Sequence, residues 1–236
     1  MDSTPYIVLV SYRARGIQVF RRNQLIRFIE NIKYYFSKHN IPYKIVISEQ
    51  NNDIIFNRGF LLNVAFLESE KLFQDKKIYF HMNADYTIDI SREFPSELFE
   101  MEIEKNVGFL ELYRPPHPVL GSACLFDPES YRKINGFPND LEGWGGDDWA
   151  IYHRIQAQKI PIITKDSLCN SGFIIDEYNP KGVTDFSNND KNRELAMRTD
   201  WETNGLNSIH YHLAEKYGEF HDGDNIFHFL VNYTTK

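Results

Sequence analysis

The sequence predicts an α/β protein: an open, mostly parallel central sheet flanked by helices, in one domain spanning residues 1–236. Three observations carry this. Strand and helix signals alternate through the first half of the chain. The length of 236 residues suits one substantial domain. No internal repeat or low-complexity linker divides it.

The elements follow in order. Ile7–Val10 is a short apolar run suited to a buried strand. From Val19 to Phe36 the apolar residues Phe20, Leu25, Phe28, Ile29, Ile32, Tyr35 and Phe36 recur mostly three and four apart, the period of an amphipathic helix. Tyr43–Ile47 is β-rich and follows the breaker Pro42. Leu61, Leu62, Ala65 and Phe66 repeat helically after Asn57 and Gly59, and Ile78–His81 is a third strand. Consecutive strand–helix–strand units join by right-handed crossovers, and such sheets bind ligands at the carboxyl ends of their strands. That rule gathers Ser11–Arg15, Ser48–Phe56 and Met82–Tyr86 around one crevice. Further on, the polar stretch Asp176–Lys191 reads as a mobile loop before a final helical segment near Asp200–Tyr217.

Composition narrows the function. The chain is 42% hydrophobic and 25% charged, which excludes a disordered or fibrous protein. Its 26 basic and 33 acidic residues give a net charge of -7, with no Lys/Arg run of the kind that neutralises phosphate backbones, so no nucleic-acid partner is expected. No apolar run approaches the roughly 20 residues of a membrane span. Met1–Tyr6 carries none of the marks of a secretory signal, and two cysteines, Cys124 and Cys169, suit a reducing compartment; a cytoplasmic protein is expected. There is neither G-x-G-x-x-G after the first strand nor a P-loop, which disfavours dinucleotide oxidoreductases and P-loop NTPases.

Three segments carry candidate chemistry. Ile134-Asn135-Gly136-Phe137-Pro138 precedes Gly143-Trp144-Gly145-Gly146-Asp147-Asp148-Trp149. Glycines around a tryptophan suggest a sharply turned backbone that lets a ligand approach. The acid pair opens a helix with Ile151 and Ile155 on one face and Arg154 on another. Acids at a helix start also suit the macrodipole. Beside an aromatic platform, however, they are placed to hold and deprotonate a sugar. Tyr79–Asp85 ends a strand in an acid suited to a divalent metal on a diphosphate. Arg13, Arg15 and Arg58 are placed to grip phosphates, and Phe56 or Tyr12 to stack on a base.

These segments resemble the β-1,4-galactosyltransferase family, glycosyltransferase family 7, over nearly the whole chain. Ile7–Arg15 resembles the family's first strand and its Phe-Arg-x-Arg loop. Ile55-Phe56-Asn57-Arg58 with Leu61–Phe66 is similar to its Phe-Asn-Arg-x-x-Leu-Leu-Asn-Val-Gly-Phe. Ile134–Pro138 with Gly143–Asp148 resembles its Ile-Asn-Gly-Phe-Pro and Gly-Trp-Gly-Gly-Glu-Asp signature, and Asn204–Ser208 its late Asp-Gly-Leu-Asn-Ser.

The resemblance implies a GT-A fold, with residues 1–90 as the nucleotide-sugar half and 91–236 as the acceptor and catalytic half. It implies an inverting transfer of galactose or N-acetylgalactosamine, from UDP-galactose or UDP-N-acetylgalactosamine to a sugar hydroxyl of a glycan acceptor, β-1,4 in linkage. Asp148 would be the general base. Asp147 and Trp144 would hold the acceptor, with Gly145 and Gly146 admitting the reacting groups. Arg13, Arg15, Phe56 and Arg58 would bind uridine and diphosphate, with Asn83 and Gly121 as further substrate contacts. Asp85 would ligate manganese (Mn2+).

The chain departs from the pattern in three places. Asn83 replaces the first acid of Asp-x-Asp. Ile174-Ile175-Asp176-Glu177 replaces Met-x-x-His, leaving Glu177, or Asp176, as the second metal ligand, with His210, His212, His221 and His228 further on as other candidates. Val119 stands near the position whose Tyr favours galactose, so a smaller side chain leaves room for an N-acetyl group. The alternatives are another GT-A transferase, such as a chondroitin-polymerase-like module, and an inactive carbohydrate-binding relative.

Overall fold

In the computed structural model, the described residues are 5–14, 18–75, 77–93, 107–109, 113–114, 117–118, 120, 123–163, 173–176 and 187–233. The first half forms as expected: β1 (Tyr6–Tyr12), α1 (Gln18–Lys38), β2 (Tyr43–Gln50), α2 (Arg58–Leu72) and β3 (Ile78–Met82). There follow β4 (Tyr86–Ile88), β5 (Val107–Phe109), β6 (Tyr113–Arg114), β7 (His117–Pro118), β8 (Ala123–Phe126), α3 (Pro128–Lys133), α4 (Asp147–Ala157), β9 (Ile162–Ile163), β10 (Ile174–Asp176), α5 (Asn189–Ala196), β11 (His212–Glu215) and β12 (Ile226–Asn232).

Among the described residues the central sheet has eight strands in the order β11-β12-β2-β1-β3-β8-β5-β9. β12, β2, β1 and β3 run parallel, with Tyr6 opposite both Tyr43 and Ile78. The second half makes the sheet mixed: β8 runs antiparallel to β3 and to β5, and β11 antiparallel to β12. The strand–helix alternation that dictates parallel crossovers ends at β3, so later strands are free to enter from the other end. From β1 the chain steps to β2 on one side and to β3 on the other. This reversal of direction opens a crevice beyond the carboxyl ends of β1 and β3.

Side chains of β1 alternate between two cores. Tyr6, Val8, Val10 and Tyr12 pack with Leu25, Phe28, Ile32, Tyr35 and Phe36 of α1, while Ile7 and Leu9 pack with α2 and with Tyr131, Phe137 and Ile151. Helix α2 is not amphipathic, since every residue from Gly59 to Phe66 is buried. The sheet covers one side of it and the segment around Phe137 covers the other. Asn63, inside α2, satisfies all of its bonding capacity there. Its Oδ1 accepts from Tyr131 Oη–H and Phe137 N–H, and its Nδ2 donates to Phe137 O and Asn139 Oδ1. Asn57 caps α2 by accepting from Phe60 N–H at 2.9 Å.

The final helical segment expected near Asp200–Tyr217 does not form. Its place is taken by two short 3-10 turns, Trp201–Thr203 and Leu206–Ser208, and by β11. Asn135 captures this backbone. Its Nδ2 donates to the carbonyls of Trp201 and Glu202, and its Oδ1 accepts from Asn207 N–H. Those bonds to a distant loop outweigh local helix propensity. In the stretch expected to be a loop, Asp176 closes β10 and Asn189–Ala196 forms α5; residues 177–186 lie outside the described set. No helix among the described residues is long and apolar enough to cross a membrane.

Candidate active site

Arg13 follows the last residue of β1. Its Nη1 donates to Ile54 O at 2.8 Å, and its guanidinium stands 5.5 Å from the centre of the Phe56 ring. The carbonyl of Phe56 in turn accepts from Gly143 N–H at 2.7 Å, tying this segment to the Gly-Trp-Gly-Gly loop.

Arg58, the first residue of α2, is the centre of the arrangement. Its Nε donates to Asn83 Oδ1 at 2.9 Å, and its Nη1 lies 3.9 Å from Asp147 Oδ2. The guanidinium also stacks 5.6 Å from the centre of the Phe137 ring. One side chain thus joins the end of β3 to the head of α4. Asn83, Arg58 and Asp147, gathered from three separate sequence motifs, form one cluster.

Asp147 is buried and Asp148 half-buried at the start of α4, while Trp144 is 48% exposed just before them. Burial pushes the Asp147 carboxyl up to about 7; Arg58 pulls it down and Asp148 pushes it up. Asp147 Oδ1 is buried and has no hydrogen-bond partner among the described residues. A carboxylate oxygen kept dry and unsatisfied is costly unless a ligand bonds it.

Gly145 and Gly146 do something other than expected. Both hold positive φ, +100° and +89°, and the space beside them is filled by α5 rather than left for a ligand. A Cβ would stand 2.4 Å from Asn189 Oδ1 at Gly145 and 2.6 Å from Asn192 O at Gly146. They serve close helix packing that fixes the head of α4.

Arg154 also differs from expectation. Placed on another face by the sequence reading, it is buried with Ile151 and Ile155. Its guanidinium donates to the carbonyls of Gly136 and Asn204, each at 2.6 Å, and to Asn135 O at 3.1 Å. It clamps Ile134–Pro138 against Asn204–Ser208. The signal was present, because Asp147, Ile151 and Arg154 stand at i, i+4 and i+7 on one helical stripe. Burial lowers its pKa to about 10.

His228 is a core residue, not a ligand candidate: its Nε2 lies 2.9 Å from Glu49 Oε2 and its Nδ1 accepts from Phe220 N–H. Arg15, Gly121, Glu177, Val119 and Cys169 lie outside the described residues.

Two family models match the chain. One, for the N-terminal region of glycosyl transferase group 7, covers residues 4–93; the other, described as the N-terminal domain of galactosyltransferase, covers residues 109–171. The chain belongs to the glycosyltransferase group 7 family.

Relatives of this group 7 chain include the xylosylprotein 4-β-galactosyltransferase of Caenorhabditis elegans. That protein is 25% identical over 210 residues, which are 86% of this chain and 70% of the relative. The β-1,4-galactosyltransferase 3 of Homo sapiens is 25% identical over 217 residues, 89% of this chain and 52% of that protein. The chain thus spans about half the length of the latter. In fold, it resembles the catalytic domain of Drosophila β-1,4-galactosyltransferase 7 in complex with xylobiose, with a TM-score of 0.75 at 17% identity, covering 99% of this chain and 95% of that one. A mutant of the same Drosophila protein, in complex with manganese, UDP-Gal and xylobiose, matches with a TM-score of 0.73 at 16% identity and the same coverage. The GT-A architecture expected from the sequence is the one observed.

The donor set at the end of β3 suits a hard divalent cation. Asp85 supplies a carboxylate beyond Met82, and Asp176 stands opposite Tyr86, the next residue, in the antiparallel β4–β10 pair. The described residues contain no group of three or more ligating side chains.

Proposed function

We propose that this group 7 protein is an inverting, metal-dependent transferase. It moves galactose or N-acetylgalactosamine from the UDP-sugar to a sugar hydroxyl, in β-1,4 linkage. The observation that carries this reading is the Arg58 bridge, which holds Asn83 of the donor half and Asp147 of the acceptor half at one point.

On this reading the Arg13–Phe56 stack receives the uridine, and Arg58 lies beside the diphosphate. Trp144 offers an exposed ring to the acceptor sugar. An acceptor hydroxyl bonds the unsatisfied Asp147 oxygen, whose ionised form is the better acceptor. Asp148 takes the proton from the hydroxyl that attacks the anomeric carbon, in line with the departing UDP. Manganese, when bound, offsets charge on the leaving diphosphate; Asp85, with Asp176 or Glu177, would hold it. The names of the relatives favour galactose as the sugar moved, and a xylose-containing acceptor is the natural first choice. N-acetylgalactosamine is kept because Val119 is small.

The test is donor binding and turnover with UDP-Gal, UDP-GalNAc, UDP-Glc and UDP-GlcNAc, with a xyloside acceptor, in manganese and in EDTA. Manganese-dependent transfer from a galacto-configured donor is expected. Absence of binding to every UDP-sugar would overturn the reading.

A further inference from the structure

Arg21 belongs to none of the motifs that mark the site. It lies in the first turn of α1, which contains no acidic residue. A cation at that end of a helix is opposed by the macrodipole, so it needs compensating partners. Two are present. Nη1 of Arg21 lies 2.9 Å from Oε1 of the buried Gln24 and 3.4 Å from Asp85 Oδ2. The side chains of Arg21 and Asp85 are only 26% and 18% exposed. Arg22, its neighbour, is engaged by Glu219 at the surface instead.

The carboxylate that Arg21 contacts is the one read above as holding the cation. A guanidinium and a divalent cation on one carboxylate repel each other, so each weakens the other's hold. At 3.4 Å the pair is long for a charge-assisted bond and therefore open to exchange. Gln24 supplies a pivot that keeps the guanidinium at the mouth of the crevice after Asp85 lets go. The neutral Asn83, already bonded by Arg58, adds no charge of its own beside Asp85.

We propose that Arg21 is an exchangeable counter-ion and a further donor-binding residue: it neutralises Asp85 until cation and donor arrive, then cedes Asp85 to the cation and takes a phosphate oxygen of the nucleoside diphosphate. The inference rests on the donor-site reading given above. It makes binding of the cation and of the diphosphate cooperative, since the cation releases Arg21 to the phosphate and the diphosphate draws Arg21 away from the cation's carboxylate.

Calorimetric titration of the full chain with Mn2+ alone, UDP alone and UDP at saturating Mn2+ tests this, comparing the wild type with Arg21→Gln and Arg21→Lys. In Arg21→Gln, Mn2+ alone binds about twofold to fivefold more tightly, because a competitor is gone. UDP in Mn2+ binds about tenfold more weakly, because a phosphate partner is gone. Arg21→Lys restores most of the UDP affinity and keeps the surface charge, so a general loss of structure would show as failure of both variants to melt cooperatively and would count against an exchangeable role. Opposite shifts for metal and nucleotide are not produced by a merely structural residue. If the wild type binds Mn2+ and UDP but Arg21→Gln moves neither, or moves both the same way, the Arg21 proposal fails alone. If the wild type binds neither, the donor-site reading fails with it.

Discussion

Arg58 Nη1 stands 3.9 Å from Asp147 Oδ2, a link between the first residue of α2 and the first residue of α4. The pair is largely buried, so solvent screens it little. Replacing Arg58 with Met removes a cation that pulls the Asp147 carboxyl down from its burial-raised position near 7. On the proposed function, the acid limb of kcat/KM follows ionisation of Asp147 and moves to higher pH by about one pH unit or more. Donor affinity falls as well. A pH–rate profile whose acid limb stays in place would contradict the link.

The same carboxyl makes stability fall with rising pH. Its folded-state pKa, about 7, lies above the ordinary value of 3.8, so the native state holds the proton more tightly than the unfolded chain. The stabilisation is complete below the unfolded value and is lost as pH rises through about 7. Asp147→Asn, which cannot ionise, is therefore more stable than the wild type. Its advantage widens by about 2 kcal/mol between pH 5 and pH 8. Urea melts of both proteins at the two pH values measure it.

Asp148→Asn separates chemistry from binding. If Asp148 is the general base of the proposed function, its loss lowers kcat by about 10²–10⁴-fold. UDP-sugar affinity, which the proposed function places on the Arg13, Phe56 and Arg58 side of the crevice, stays unchanged. Retention of full turnover would remove Asp148 from its assigned role.

Arg154→Leu strips the donors from the carbonyls of Asn135, Gly136 and Asn204 inside a packed region. The cost is about 3 kcal/mol in denaturant unfolding, because buried acceptors lose charge-assisted bonds. Donor binding in the surviving folded fraction changes little, since the clamp lies behind α4.

Gly146→Ala places a methyl 2.6 Å from Asn192 O at φ +89°. Strain and the displaced α5 cost about 2 kcal/mol or more. Because the head of α4 moves, turnover falls further than the melting temperature alone accounts for. An alanine variant with wild-type kinetics would show that this helix packing does not position Asp147 and Asp148.

Much of the first half of the chain is legible from pattern. β1, α1, β2, α2 and β3 announce themselves because the periods of strand and helix differ and Pro42, Asn57 and Gly59 punctuate them. The antiparallel entry of β8 was not legible, because nothing local in Ala123–Phe126 specifies strand direction. The turns at Trp201–Ser208 differ from the expected helix because Asn135, far off in sequence, supplies the bonds that hold them.

The α/β class, the crevice beyond β1 and β3, and the residue types that line it can be read along the chain. All of these follow from local periodicity and motif spacing. It takes the packed molecule to bring Arg58 to both Asn83 and Asp147, to set α5 against Gly145 and Gly146, to give Arg154 the carbonyls of Gly136 and Asn204, and to turn Arg21 toward Asp85. Each depends on which side chains meet across the sheet, and on the burial that follows. Desolvation and pairing are properties of the packed molecule, so no single stretch of chain carries them.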